Sequence, residues 1–83
     1  MFLRGITEDT VLALIKKTLK RPHKKYKQWD GRRVVLRTYK KPVGELVVIE
    51  EGGLSTTLIH TLKVVYTRER SGDIYIVTAY PLF

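Results

Sequence analysis

Pro22 divides the chain into two segments whose apolar residues recur with different periods. Before it, apolar side chains recur every three or four positions, which is the spacing of one helical face. Thr7 is a favoured N-cap, so this helix is predicted over about residues 8 to 20. After Pro22 apolar and polar residues alternate with a period of two, which is typical of strands. The 83 residues therefore predict a single α+β domain, 1–83, with one N-terminal helix followed by a sheet.

Turn sequences divide the second segment into strands. Asp30-Gly31 favours a tight two-residue hairpin turn, because such turns need positive φ angles. Further turns are predicted at 41–44, 52–53 and 71–72. The strands between them form a four- or five-stranded antiparallel meander, with a long strand over 58–68 and a last strand over 74–80. One helix covers one face of such a sheet, so we expect the other face to be open to water or to a partner.

Basic residues are concentrated in the first half of the chain. Thirteen of the sixteen Lys and Arg residues lie within residues 1–41, and the twelve within 16–41 are accompanied by one acid, Asp30. Residues 42–83 carry three basic and five acidic side chains. So uneven a distribution predicts a polyanionic partner, and nucleic acid is the polyanion that such patches commonly bind.

Aromatic residues lie among these cations, namely Tyr26, Trp29 and Tyr39. Stacking of bases on aromatic rings beside phosphate-neutralising cations is the usual way in which single-stranded or looped RNA is held. The sequence therefore favours RNA. The predicted nucleic-acid-binding residues are Lys24, Lys25, Lys27, Trp29, Arg32, Arg33 and Arg37. The alternative is that Trp29 belongs to the core and that the lysines form a solvated face.

Several classes of site and location are disfavoured. The chain has no cysteine, and its two histidines, His23 and His60, lie far apart, so no metal site and no cofactor are expected. No apolar run approaches the roughly 18 to 20 residues of a membrane span. The first residues lack the apolar core of a secretory signal. These features predict a cytoplasmic protein with no membrane partner.

The residues do allow RNA cleavage without a metal. In that reaction the 2′-hydroxyl attacks, and the protein moves protons and stabilises the phosphorane. Histidine, tyrosine, lysine and arginine can fill those roles, and the chain offers His23, His60, Lys63, Tyr66, Thr78 and Tyr80. Thr78 and Tyr80 lie two positions apart in a predicted strand and therefore share a face.

The carboxy-terminal run Asp73-Ile74-Tyr75-Ile76-Val77-Thr78-Ala79-Tyr80-Pro81 resembles the last strand of the RelE-like toxin nucleases and their barnase, EndoU and colicin-like relatives. The opening Arg4-Gly5-Ile6-Thr7, the proline near the end of the helix and the Gly-containing hairpin also resemble small RelE-like domains. This resemblance implies a RelE-like fold and a toxin-type endoribonuclease. It implies Thr78 and Tyr80 as catalytic residues, with His60 as a second proton-transfer group.

Two alternatives stay open beside the nuclease. One is a nucleic-acid-binding module without catalysis that uses the same basic residues. The other is a protein-interaction subunit whose basic face meets an acidic, antitoxin-like partner and whose exposed strand edge pairs with another chain, as in a homodimer.

Overall fold

The computed structural model describes residues 2–82, in which one helix precedes six strands. Helix α1 spans Glu8–Lys20, and the strands are β1 (Lys24–Lys27), β2 (Arg33–Thr38), β3 (Gly44–Glu50), β4 (Gly53–Ile59), β5 (Thr61–Arg68) and β6 (Ile74–Leu82). All strand pairings are antiparallel. The predicted α+β class is confirmed, with a strand count slightly higher than expected. Within residues 2–82 no helix is long and apolar enough to cross a bilayer.

The strands form two sheets. Four of them lie in the order β1-β2-β5-β6, while β3 pairs with β4 alone. The region predicted as one strand over 58–68 is divided at His60, where β4 ends and β5 begins. Because β2 pairs directly with β5, the β3–β4 hairpin is an insertion between two neighbouring strands of the larger sheet. We call this hairpin the arm.

The arm extends the molecule lengthwise. The seven residues of β4 and the eight of β5 span together about 50 Å at roughly 3.3 Å per residue. The longest dimension of the molecule is 53 Å, against 28 and 19 Å in the other directions. The arm and the four-stranded sheet therefore lie end to end, with the arm tip at one end and the β5–β6 turn at the other.

Helix α1 covers one face of the four-stranded sheet, where it packs on β2 and β5. The buried core there consists of Val35, Val43, Leu62 and Val64, with Leu14, Ile15 and Leu19 of the helix packed against it. As predicted, the Thr7 side chain caps α1 by accepting the Thr10 N–H at 3.2 Å. No helix within the described residues covers the opposite face, which we call the open face, and on it Val34 and Val65 are nonetheless buried.

A polar contact fixes the helix to the loop after β2. The hydroxyl of Thr18, a fully buried residue, donates to the Leu14 carbonyl oxygen at 2.8 Å. The Tyr39 hydroxyl lies 2.7 Å from that of Thr18 and also donates to the Leu14 carbonyl at 3.0 Å. Burial of these hydroxyls is tolerated because each has a hydrogen-bond partner.

Candidate nucleic-acid interface

The turn between β1 and β2 carries an exposed tryptophan. The Gln28 N–H donates to the Arg32 carbonyl at 2.7 Å, so three residues, Trp29, Asp30 and Gly31, form the turn. Gly31 has a positive φ of 87°, whereas no non-glycine residue among residues 2–82 does, so the predicted two-residue turn is wrong. Trp29 lies at the tip with 98% of its surface exposed, and the alternative that it belongs to the core is wrong as well.

Asp30, the single acid among residues 16–41, is paired inside this turn. Its Oδ1 accepts the Arg32 N–H at 3.0 Å, and its Oδ2 lies 3.5 Å from the Arg32 Nε. Because both carboxylate oxygens face the same neighbouring residue, Asp30 offsets Arg32 and leaves the other nearby cations without an acidic partner. The ring of Trp29 is therefore surrounded by net positive charge.

Strand β1 places its cations on both sides of the sheet. It is an edge strand that pairs only with β2, and all four of its residues are exposed. From the pairing register, Lys24 and Tyr26 belong to the open face, while Lys25 and Lys27 belong to the helix side. We call this strand, together with Trp29, Arg32 and Arg33, the β1 edge.

On the helix side the β1 edge borders a basic cleft beyond the end of α1. The cleft has a volume of about 490 Å³, and five cations but no acid line it: Lys20, Lys25, Lys27, Arg33 and Arg68. Lys25, Lys27 and Arg33 are thus brought together as predicted. Lys20 and Arg68 were not in the predicted set. Arg68 lies two residues beyond Tyr66, the cross-strand partner of Arg33, so its place in the cleft follows from the register of β2 with β5.

On the open face a lysine lies between two tyrosines. The Lys63 Nζ is 5.5 Å from the centre of the Tyr80 ring, within cation–π range. The pKa of Lys63 is raised, mainly by hydrogen bonding with Tyr80. Partial desolvation lowers this pKa, and Tyr26 raises it by a smaller amount. Thr78 and Tyr80 share this face, as their spacing predicted, and the strand register places Lys24 on it as well. Lys63 and Tyr26 were left out of the predicted site, although a lysine inside an apolar strand is an unusual residue that could have indicated it.

His60 is not brought together with Thr78 and Tyr80. It lies between β4 and β5 and contacts Tyr39, whose hydroxyl reaches the helix, whereas Thr78 and Tyr80 belong to the open face. Its Nδ1 donates to the Tyr39 carbonyl at 3.1 Å, and its own carbonyl accepts the Tyr39 N–H at 2.8 Å. His60 therefore joins β5 to the loop after β2.

Arg37 shares the helix side with Arg33, as predicted, but lies in a different cleft. Its Nη1 donates to the Arg21 carbonyl at 2.6 Å, and its guanidinium lies 5.4 Å from the centre of the Tyr39 ring. This second cleft, of about 900 Å³, is also lined by Lys17, His23, Lys40 and Lys41. The His23 Nδ1 accepts the Thr38 N–H at 3.2 Å. The structure thus separates Arg37 from the other predicted nucleic-acid-binding residues.

Within residues 2–82, no group of three or more His, Cys, Asp or Glu side chains is arranged to hold a metal ion. Comparison with protein-family models, with curated proteins and with solved structures finds no match.

Proposed function

We propose that the chain binds single-stranded or looped RNA along the β1 edge. The observation that carries the proposal is Trp29, which is 98% exposed on a surface whose one nearby acid is paired with Arg32. A solvent-exposed indole contributes nothing to the free energy of folding, since tryptophan stabilises a domain through burial. A stacking contact with a base does use an exposed ring, and each such contact contributes about 1–3 kcal/mol.

The two sides of the β1 edge suit the two parts of a nucleotide chain. Lys25, Lys27 and Arg33 line the acid-free cleft and would neutralise phosphates. Trp29 at the tip and Tyr26 on the open face offer aromatic rings. Single strands and loops expose their base faces, whereas a duplex keeps them stacked inside. The arrangement therefore favours unpaired RNA over duplex RNA.

The proposal can be tested by tryptophan fluorescence, because Trp29 is the only tryptophan of the chain. Titration with a single-stranded oligoribonucleotide is expected to quench its emission, and the same strand annealed to its complement is expected to quench it far less. The logarithm of the affinity should fall with the logarithm of salt concentration by about 0.7 per phosphate neutralised. Three contacts in the cleft would give a slope near −2.

Charge reversal provides the matched control. Arg33→Glu is expected to weaken binding and to reduce the salt slope by roughly the contribution of one phosphate. Lys41→Glu makes the same change of charge in the loop beyond the other end of β2 and is expected to have a smaller effect on both. Equal losses for the two variants, or an unquenched Trp29 with RNA bound, would contradict binding at the β1 edge.

A metal-independent endoribonuclease of toxin type is the second candidate. The observation in its favour is the open-face cluster of Lys63, Tyr80 and Thr78, where a cation for the phosphorane lies beside a hydroxyl able to move a proton. Incubation of RNA with the protein in EDTA is expected to yield cyclic-phosphate or 3′-phosphate ends if this cluster is catalytic. Tyr80→Phe should then abolish cleavage while His60→Ala retains it. Intact RNA, together with normal quenching of Trp29 fluorescence, would mean that the protein binds RNA without cleaving it.

A further inference from the structure

We infer that two copies of this chain form an antiparallel dimer in which the arm of each lies along β6 of the other. This inference rests on the arm and β6 and does not depend on RNA binding. Both segments expose apolar side chains, and both lie away from the β1 edge, on β3–β4 and on the opposite edge strand of the sheet.

The arm has an apolar face that its own chain leaves uncovered. The cross-strand pairs Val47–Thr56 and Ile49–Leu54 lie on this face, together with Leu58. Ile49 is 85% exposed and Leu54 is 72% exposed. An isolated two-stranded hairpin is marginally stable in water, and exposed apolar patches usually mark interfaces. The arm therefore gains stability when this face is covered.

Strand β6 is an edge strand without charged side chains. It pairs with β5 only, and residues 74–82 contain no charged side chain to discourage another strand from approaching. A register shift at Val77 and a proline at position 81 interrupt the edge, so residues 74–76 are its regular part. Its first four residues, Ile74, Tyr75, Ile76 and Val77, are all exposed, and Tyr75 reaches 65%. Such an edge is suited to contact with another chain.

The geometry selects a second copy as the occupant. The arm begins at the end of the sheet where Leu82 pairs with Thr61, and Ile49 lies five residues beyond Gly44 at its base. Val77 lies five residues before Leu82 in the opposite direction. A two-fold axis near this junction, perpendicular to the long axis, therefore brings the apolar part of each arm alongside the exposed part of the other copy's β6.

Charge favours the same arrangement. Glu45, Glu50 and Glu51 give residues 44–59 and their turn a charge of −3, which leaves +11 on the rest of a chain whose formal net charge is +8. Glu45 faces Arg4 at the base, at 3.9 Å, whereas Glu50 and Glu51 lie at the tip. In the antiparallel dimer each acidic tip reaches the β5–β6 end of the other copy, where Arg68 and Arg70 are accompanied by Glu69 and Asp73, so the tip meets a segment of no net charge. Like-charge repulsion between the basic sheets is reduced because an acidic arm borders each of them.

The oligomeric state tests the inference directly. Light scattering of the RNA-free protein over a concentration series is expected to give twice the 9.6 kDa of one chain. Ile49→Lys should give a monomer with unchanged circular dichroism, because the side chain is exposed in the single chain. Thr57→Lys, an exposed position on the other face of the arm, should remain dimeric. A monomeric wild type, or identical masses for the two variants, would overturn the proposal.

A charge exchange separates the dimer from a contact within one chain. Arg70→Glu leaves the turn with acidic side chains alone at residues 69–73, so it is expected to weaken dimerisation several-fold against the acidic tip, and Glu50→Arg/Glu51→Arg is the compensating change. Their combination should recover part of the loss. Because the tip and the β5–β6 turn lie at opposite ends of a 53 Å molecule, recovery can arise only between copies. Additive losses in the combined variant would count against this alignment of the two chains.

Discussion

Replacing Trp29 with alanine is expected to weaken the binding of single-stranded RNA about 10- to 100-fold. The loss corresponds to the stacking of one base on the indole ring, since the ring is 98% exposed and packs on nothing in the unbound protein. For the same reason the free energy of unfolding should stay within about 0.5 kcal/mol of the wild type. A large loss of affinity with unchanged stability identifies a residue that acts in binding alone.

Because the variant lacks the fluorophore, its affinity is best measured by the anisotropy of a labelled oligoribonucleotide. Trp29→Phe is the matched control, since it retains a ring able to stack and should recover much of the affinity. The salt slope should be nearly the same in all three proteins, because Trp29 contacts no phosphate. Wild-type affinity in Trp29→Ala would remove the main support for RNA binding at this tip.

Leu62→Ala is expected to lower the free energy of unfolding by about 3 kcal/mol. Leu62 lies on β5, inside the four-stranded sheet, and is fully buried against the core. Truncation removes its apolar contacts and leaves a cavity that neighbouring strands cannot fill without breaking their pairing. A domain of this size has a total stability of only about 4–12 kcal/mol, so this one change removes a large fraction of it.

The measurement should follow urea unfolding by far-UV circular dichroism at one fixed protein concentration, since dimerisation also contributes to apparent stability. Trp29 fluorescence is unsuitable, because an indole already in water changes its emission little on unfolding. Leu12→Ala, at a position 47% exposed on α1, is the control and should cost less than about 1 kcal/mol. Similar losses at both positions would mean that β5 is not the centre of the core.

The sequence predicted what depends on local chemistry. Thr7 and Pro22 bound the helix because a capping oxygen and a missing N–H act at their own positions. The break at His60 was missed, since residues 58–68 have continuous strand character and the break is set by long-range pairing, of β4 with β3 and of β5 with β2 and β6. Asp30-Gly31 marked the turn correctly, but the Asp30 contact with Arg32 selected the three-residue form.

In the candidate site, too, the features set by neighbouring residues were predictable and those set by long-range strand pairing were not. The cations and Trp29 of the β1 edge were identifiable from composition and spacing, because neighbours in sequence remain neighbours along one strand. The pairing of Lys63 with Tyr80 depends on the register of β5 with β6, and the contact of His60 with Tyr39 depends on how the loop after β2 meets the start of β5. Register is a long-range property that one sequence does not fix when several strands have similar apolar patterns.

Strand β1 has a consequence for local opening of the fold. It is four residues long and hydrogen-bonded on one side only, so its backbone separates from the sheet at a smaller free energy than β2 or β5 does. The strand with the densest charge is thus also the strand most easily detached. A polyanion bound across Lys25 and Lys27 would hold β1 at its unpaired edge, so that part of the binding free energy appears as slower local unfolding of this one strand.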